Sequence, residues 1–300
     1  MAVLSLDNVV KQYSNHRAVD GVSFEVNEGS IFGLLGPNGA GKTSLIRIIT
    51  TITAADSGTV MINGEKLNSN HPQTIGYLPE ERGLYKKMKV GDQLLFLAQL
   101  KGLDKREAKK KIDSWLERFE ITDWWDKQVQ ELSKGMQQKI QFISTVVHEP
   151  KLMILDEPFS GLDPINTNLI KDEIHRLNEN GTSIIFSTHR MEQVEQICKD
   201  IVLINKGQVV LDGKVDDIKE EYKDNIFKVG FKGSTPTLSS SKYHIISQGD
   251  HEITLQMDTE MASNELIKDL LKQGVIIDSY NEIKPTLNEI FIKKVGESDE

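Results

Sequence analysis

The sequence predicts an α/β protein in which a parallel-sheet domain with a helical insertion precedes a small α+β domain. Two apolar runs without alternation, Leu152–Leu155 and Ile184–Phe186, are typical of strands buried on both faces of a parallel sheet. A segment of helical composition, Asn166–Asn178, lies between them, which is the order strand, helix, strand that such a sheet requires. The pattern restarts near Gly213–Lys223, so we place a domain boundary after residue 222.

The first domain, residues 1–222, opens with strands and a glycine-rich turn. Val3–Val10 and Val19–Val26 are apolar runs separated by turn residues, and Ile31–Leu35 is a third strand. After the turn, the apolar positions within residues 45–49 are typical of a helix that packs on a sheet.

A helical subdomain and a C-terminal domain complete the predicted architecture. Between about residues 88 and 145, apolar side chains recur at helical spacing with charged residues between them. Residues 223–300 combine alternating strands with a helix that we expect to begin at Ser263 as N-cap and stop at Gly274. Pro285 opens a last helix. This second domain is a small α+β unit that carries no recognisable chemical motif.

Composition excludes several classes of protein. Hydrophobic residues make up 38% and charged residues 27%, and the net charge is −9, which argues against a nucleic-acid-binding protein. A single cysteine, Cys198, excludes an internal disulfide and fits a reducing compartment. The apolar runs are too short to span a bilayer, and Asp7 interrupts the N-terminal run, so we expect a cytoplasmic protein without a signal peptide.

Residues 36–43 form the pattern of a phosphate-binding loop, Gly-Pro-Asn-Gly-Ala-Gly-Lys-Thr, between a strand and a helix. The glycines let backbone N–H groups turn inward, and the helix adds its positive N-terminus. We expect Lys42 to reach the β- and γ-phosphates of a nucleotide and the Thr43 hydroxyl to bind Mg²⁺. The predicted nucleotide contacts of this segment are Gly36, Asn38, Gly39, Gly41, Lys42, Thr43 and Ser44.

Two carboxylates, Asp156 and Glu157, end the apolar strand that starts at Leu152. Buried strands rarely end in paired acids unless a cation or a reactive group is close. Asp156 suits a Mg²⁺ site, and Glu157 is then the candidate general base for the attacking water.

Three further residues are candidates for ligand binding because of where they lie relative to a helix and a strand. Ser133 and Gly135 precede an apolar helix and form a second N-terminus that can hold an anion, although a plain N-cap is the simpler interpretation. One nucleotide needs only one phosphate-binding helix N-terminus. The second N-terminus, at Ser133 and Gly135, therefore fits a role in the nucleotide site of another subunit. His189 follows the strand Ile184–Thr188, at the edge where ligands of this sheet type bind.

Taken together, these segments resemble the ATP-binding subunits of ABC transporters, over about residues 2–220. The resemblance is to a P-loop ABC-type nucleotide-binding domain with a helical subdomain. It rests on motifs in the family order: Tyr13, the phosphate loop, Ile75–Glu80, Leu132–Met136, Leu155–Pro158, Ser160–Asp163 and Ser187–His189.

The resemblance implies a role for each matching residue. Tyr13 would stack on adenine, Glu157 would be the general base, and His189 would contact the γ-phosphate. Ser133 and Gly135 would close on the ATP of the opposite subunit in a head-to-tail homodimer or pseudo-dimer, with the loop at 160–163 coupling the two. ATP and Mg²⁺ are the implied cofactors, and a separate transmembrane permease is the implied partner, which holds the subunit at the inner face of the membrane.

Three positions in two motifs depart from the family pattern. Glu80 occupies a position where the family has a glutamine, so a formal negative charge lies beside the expected Mg²⁺. A carboxylate still binds Mg²⁺, and we therefore expect hydrolysis to survive. The coupling between the metal and the permease is the property that this substitution puts in doubt. Lys134 and Met136 replace the usual Gly and Gln of the signature segment. The run at 78–85 and the tail at 285–292 further resemble Nat-type sodium-extrusion ATPases, which implies export of an ion or a drug.

Two alternatives stay open at this point. The chain could be an ABC-type ATPase that drives no transport, although those usually fuse two cassettes. The C-terminal domain could act as a regulatory ligand sensor, or it could serve oligomerisation or permease docking.

Overall fold

The computed structural model describes residues 1–81, 83–233, 236, 243–258 and 262–298. The chain divides into two compact units, Met1–Lys214 and Val215–Glu300. The division falls before a helix at Val215–Glu221, which the sequence analysis placed in the first domain. That helix belongs to the second unit because it packs against the last helix of the chain.

The strands of the first unit form two sheets. An antiparallel sheet has the order β2-β1-β4-β5, and a second sheet has the order β10-β9-β3-β8-β7-β6. The strands are β1 (Ala2–Tyr13), β2 (His16–Asn27), β3 (Ile31–Leu35), β4 (Ser57–Ile62), β5 (Glu65–Lys66), β6 (Ile75–Leu78), β7 (Leu152–Asp156), β8 (Ser183–Thr188), β9 (Asp200–Asn205) and β10 (Gln208–Lys214).

The second sheet is the predicted parallel core. Pairing is parallel from β6 through β7, β8 and β3 to β9, and β10 alone runs antiparallel at the edge. Every residue of β3, β7 and β8 is buried, as their continuous apolar runs require. The carboxyl ends of β3, β6, β7 and β8 therefore lie along one edge, and the segments that follow them meet there.

The helices of the first unit confirm the predicted helical insertion, which lies between β6 and β7. Rings of Trp115, Phe119 and Phe142 form its core, with centroids 5.7 to 6.1 Å apart. The helices are α1 (Lys42–Ile49), α2 (His71–Thr74), α3 (Val90–Leu100), α4 (Lys105–Arg118), α5 (Lys134–Val146), α6 (Pro164–Glu179) and α7 (Met191–Ile197).

A buried carboxylate joins this insertion to the parallel-sheet core. Glu173 of α6 accepts hydrogen bonds from Arg118 of α4, at 2.5 Å, and from Arg176 of its own helix, at 2.8 Å. The guanidinium of Arg176 also lies over the ring of Trp115. Because the Glu173 side chain is only 6% exposed, the pair is screened less by water than a surface ion pair.

The second unit has a four-stranded antiparallel sheet in the order β12-β13-β11-β14. Its core contains Val229, Phe231, Leu255, Leu266 and Leu270. The elements are α8 (Val215–Glu221), β11 (Ile226–Lys232), β12 (Tyr243–Gln248), β13 (Glu252–Met257), α9 (Ala262–Lys272), β14 (Ile276–Ile283) and α10 (Leu287–Ser298).

One detail of this unit differs from the sequence analysis. Ser263 is not an N-cap, because α9 already includes Ala262. The Ser263 hydroxyl instead lies 2.6 Å from the hydroxyl of Tyr280 on β14, and this hydrogen bond ties the helix to the sheet. Within the residues that the structure describes, no helix combines the length and the apolar character needed to cross a membrane.

Candidate nucleotide site

The phosphate-binding loop connects β3 to α1 and depends on two glycines. Gly36 and Gly41 have φ values of 148° and 113°, which side-chain-bearing residues rarely adopt. A Cβ atom at Gly36 would overlap the carbonyl of Ile204, and one at Gly41 would overlap the carbonyl of Ala18. The loop is therefore held against β9 and β2 at positions where only glycine fits, and α1 begins directly after it.

Lys42 is the first residue of α1 and is only 8% exposed. Its Nζ donates hydrogen bonds to the carbonyls of Gly36 at 2.7 Å and Pro37 at 3.1 Å, so the ammonium lies within the loop. Burial lowers the pKa of Lys42, while the negative charges of Glu157, Asp156 and Glu80 act in the opposite direction. A charged lysine in this position is well placed to meet the phosphates of a nucleotide.

A cleft of about 230 Å³ lies over the loop and brings most of the predicted site residues together. Tyr13 lines the cleft as the last residue of β1, which extends beyond the predicted strand Val3–Val10 because β1 and β2 pair as far as Tyr13 and His16. The lining residues are Tyr13, His16, Ala18, Asn38, Gly39, Ala40, Gly41, Lys42, Thr43, Ser44, Glu80, Asp156 and Glu157.

Asp156 ends β7 and is 4% exposed. Its Oδ1 accepts a hydrogen bond from the Ser187 hydroxyl at 2.8 Å. Burial is the main cause that raises the pKa of Asp156; the charges of Glu80 and Glu157 add to it, whereas the Ser187 bond and Lys42 oppose it. A bound cation at this point would favour the ionised form.

Glu157 is fixed by several contacts at the end of β8. Its backbone has a φ of 49°, an unusual value for a residue with a side chain. Its carboxylate accepts hydrogen bonds from the Thr188 hydroxyl at 3.0 Å and from the backbone N–H of His189 at 2.8 Å. The His189 ring Nδ1 lies 2.6 Å from the same carboxylate. Since an ionised carboxylate only accepts, Nδ1 carries the proton and Nε2 of His189 is left for another partner.

The donor set of the cleft fits Mg²⁺ held together with nucleotide phosphates. Among the described residues, no group of three or more His, Cys, Asp or Glu side chains could hold a metal by itself. Thr43, Glu80 and Asp156 offer hard oxygen atoms beside the loop. Mg²⁺ is usually bound by one or two carboxylates plus substrate phosphates, which is the combination available here.

Ser133 and Gly135 are not among the residues that line this cleft. Ser133 is the N-cap of α5, and its Oγ accepts a hydrogen bond from the N–H of Met136 at 3.3 Å. Gly135 lies beside Leu162, so the signature segment packs next to the loop at 160–163. The structure thus separates this helix N-terminus from the phosphate loop of the same chain.

Four residues that support the site are not predicted from the sequence. Ser187 and Thr188 belong to a motif but have no predicted role, and their hydroxyls donate hydrogen bonds to Asp156 and Glu157. Gln138 and Gln141 of α5 were not singled out at all, and both are buried. The polar end of an otherwise apolar strand is a signal that could have identified the two hydroxyl residues.

Comparison with protein families gives two matches along the chain. The ABC transporter family matches residues 19–160, which include the loop, the cleft carboxylates and the signature segment. The family of C-terminal domains of ATP-binding proteins like DrrA1-3 matches residues 213–295, nearly the whole second unit.

Individual relatives match over almost the full length. The uncharacterized ABC transporter ATP-binding protein YhaQ of Bacillus subtilis (strain 168) is 45% identical, with 98% of this chain and 99% of the relative covered. The linearmycin resistance ATP-binding protein LnrL of the same organism is 31% identical, with 98% of each covered. A solved ATP-binding subunit of an ABC transporter has a TM-score of 0.69 at 29% identity and covers 73% of this chain and 93% of its own.

Proposed function

The chain belongs to the ATP-binding proteins of ABC transporters, a family whose membership implies ATP binding and hydrolysis, and from that premise we propose that it drives export through a separate membrane permease. The observation that carries the proposal is that Ser133 lies outside the cleft that gathers most of the predicted site residues. A phosphate-binding helix end outside its own cleft is useful when it completes the cleft of a second ATPase subunit.

We assign the roles in the cleft from its contacts. The ring of Tyr13, which lines the cleft and is 39% exposed, stacks on adenine. The loop N–H groups and Lys42 bind the β- and γ-phosphates. Thr43, Glu80 and Asp156 hold Mg²⁺, which when bound neutralises phosphate charge.

The contacts of Glu157 suit it to accept a proton from an attacking water. Thr188 and the His189 backbone fix one orientation of the carboxylate, and the positive φ holds it at the strand end. His189 donates through Nδ1 to Glu157, and Nε2 would donate to the γ-phosphate when it also carries a proton. A general base of this kind typically contributes about 10²–10⁴-fold to a rate.

The helical insertion offers a surface for the permease. Tyr85 and Phe96 form an exposed edge-to-face pair, and Leu100 is 59% exposed on the same helix as Phe96. Exposed apolar groups of this size favour a partner surface. The backbone N–H of Tyr85 donates to Gln93 of the insertion, so contact there would reach the segment that carries Glu80.

The chemical class of the substrate is proposed from similarity. LnrL, a full-length relative, is named for resistance to linearmycin, and the second unit matches a domain of ATP-binding proteins like DrrA1-3. Efflux of a drug is the proposal that these names favour, and export of an ion, as in Nat-type exporters, rests only on the resemblance of the segments at 78–85 and 285–292. The subunit would then work on the cytoplasmic side of the membrane, attached through its permease.

Isolation of the complex tests the proposed function. A tagged full-length chain, extracted from its own cells in mild detergent with ATP and vanadate, should retain a polytopic membrane protein. Copurification with ribosomes or DNA instead would favour the non-transport ATPase. A Phe96→Asp variant provides the matched comparison, since it should lose the membrane protein and keep its ATPase activity.

Glu80→Gln tests the departure from the family pattern. Removing one of three carboxylates in the cleft should raise the Mg²⁺ concentration needed for half-maximal ATPase activity roughly tenfold, because an amide binds Mg²⁺ less well than a carboxylate. Phosphate release measured over a Mg²⁺ titration at saturating ATP gives the value. An unchanged Mg²⁺ requirement together with unchanged permease coupling would show that Glu80 has no special role here.

A further inference from the structure

Two buried glutamines of α5 form hydrogen bonds to the segments that carry Glu157 and Glu80, two of the carboxylates that line the cleft. Gln138 and Gln141 are 3% and 4% exposed and lie three residues apart on the helix, so they share a face. Nε2 of Gln138 donates to the carbonyl of Pro158, and Nε2 of Gln141 donates to the carbonyl of Pro79, each at 2.9 Å. These prolines adjoin Glu157 and Glu80 in the chain.

The hydrogen-bonded carbonyls of Pro158 and Pro79 are well placed to fix the positions of Glu157 and Glu80. Each belongs to a proline, whose ring fixes φ, so a bond to its carbonyl constrains the neighbouring residue as well. A second close contact joins the same helix to β6: a side chain at Gly76 would collide with the carbonyl of Thr145. The strand that leads to Glu80 therefore cannot shift far without α5.

Burial of the Gln141 side chain also lowers the stability of the fold. Its Oε1 is buried and has no hydrogen-bond partner among the residues that the structure describes. Such a buried acceptor lowers stability, and an apolar side chain of the same length would avoid the loss. Its amide is therefore better explained by the bond to Pro79 than by packing.

We propose that Gln138 and Gln141 are positioning residues that make the placement of Glu157 and Glu80 depend on the position of α5. This rests on the proposed function, which assigns those carboxylates to hydrolysis and to Mg²⁺. Ser133 is the N-cap of α5, and the proposed function places it on the ATP of a partner subunit. Closure on that nucleotide would therefore adjust the carboxylates of the other site.

Methionine variants of each glutamine test the proposal, because methionine keeps the length and removes the N–H donor. Gln138→Met should lower kcat about tenfold with KM for ATP changed less than about twofold. Gln141→Met should raise the half-maximal Mg²⁺ concentration several-fold. Ser144→Ala, which removes a hydroxyl bonded within α5 to the carbonyl of Gln141, is the matched control and should change neither value.

The outcomes separate the possible explanations. If both methionine variants are folded and keep wild-type kcat and Mg²⁺ dependence, the proposal is overturned, even if their melting temperatures fall. Should either fail to fold, Gln138→Asn and Gln141→Asn, which are one methylene too short to reach the carbonyls, must give the same kinetic changes. If Glu157→Gln itself hydrolyses ATP at the wild-type rate, the role of general base assigned to Glu157 fails, and the inference for Gln138 fails with it, whereas the Mg²⁺ dependence of Gln141→Met still tests the link to Glu80.

Discussion

Glu157→Gln is expected to slow ATP hydrolysis about 10²–10⁴-fold while leaving ATP affinity close to that of the unchanged chain. The amide cannot take a proton from water, but it has the same shape and can still accept from the backbone N–H and ring Nδ1 of His189. With hydrolysis blocked, the ATP-bound state should accumulate as a dimer. Phosphate release and sedimentation with saturating ATP and Mg²⁺ measure the two effects.

A matched carboxylate provides the control for this variant. Glu149 is an exposed residue paired with Lys111, so Glu149→Gln should leave both the rate and the oligomeric state unchanged. A wild-type rate for Glu157→Gln would remove Glu157 from the role of base. If only monomers sediment at saturating ATP and Mg²⁺, the composite site is contradicted instead.

Lys42→Ala should weaken ATP binding by about 10²-fold or more. Hydrogen bonds to charged groups contribute about 1.5–3 kcal/mol each, and the ammonium is placed to make more than one to the phosphates. The native fold should persist, because the substitution also removes a buried charge whose pKa is already lowered by burial. Titration with a fluorescent ATP analogue and a thermal melt separate affinity from folding.

An exposed lysine gives the comparison for this second variant. Lys66 lies on β5, outside the cleft, and Lys66→Ala should bind the analogue like the unchanged chain. Undiminished ATP affinity in a folded Lys42→Ala protein would refute the role assigned to the lysine.

The parts of the fold that local sequence determines were predictable. The apolar runs of β3, β7 and β8 and the glycine-rich turn at 36–43 need only neighbouring residues to define them, and the structure places them as predicted. The pair of carboxylates at the end of the apolar run in β7 likewise predicts Asp156 and Glu157 as site residues without knowledge of the sheet order.

The remaining features depend on contacts between distant segments. The predicted strand Val3–Val10 stops short of Tyr13 because the pairing that extends β1 comes from His16, across a two-residue turn. The helix at Val215–Glu221 has no local feature that assigns it to the second unit; its packing against α10 does. Gln138 and Gln141 look like surface residues until the folded chain places Pro158 and Pro79 beside them.

A cross-linking experiment tests most directly whether each ATP site is shared between two chains. Asn38→Cys and Lys134→Cys are introduced together into the Glu157→Gln chain and treated with a short bis-maleimide; the native Cys198 is buried and should not compete. We expect a product of dimer mass that forms with ATP and Mg²⁺ and is absent without nucleotide or with either cysteine alone. An ATP-dependent cross-link confined to single chains, with no product of dimer mass, would contradict the account.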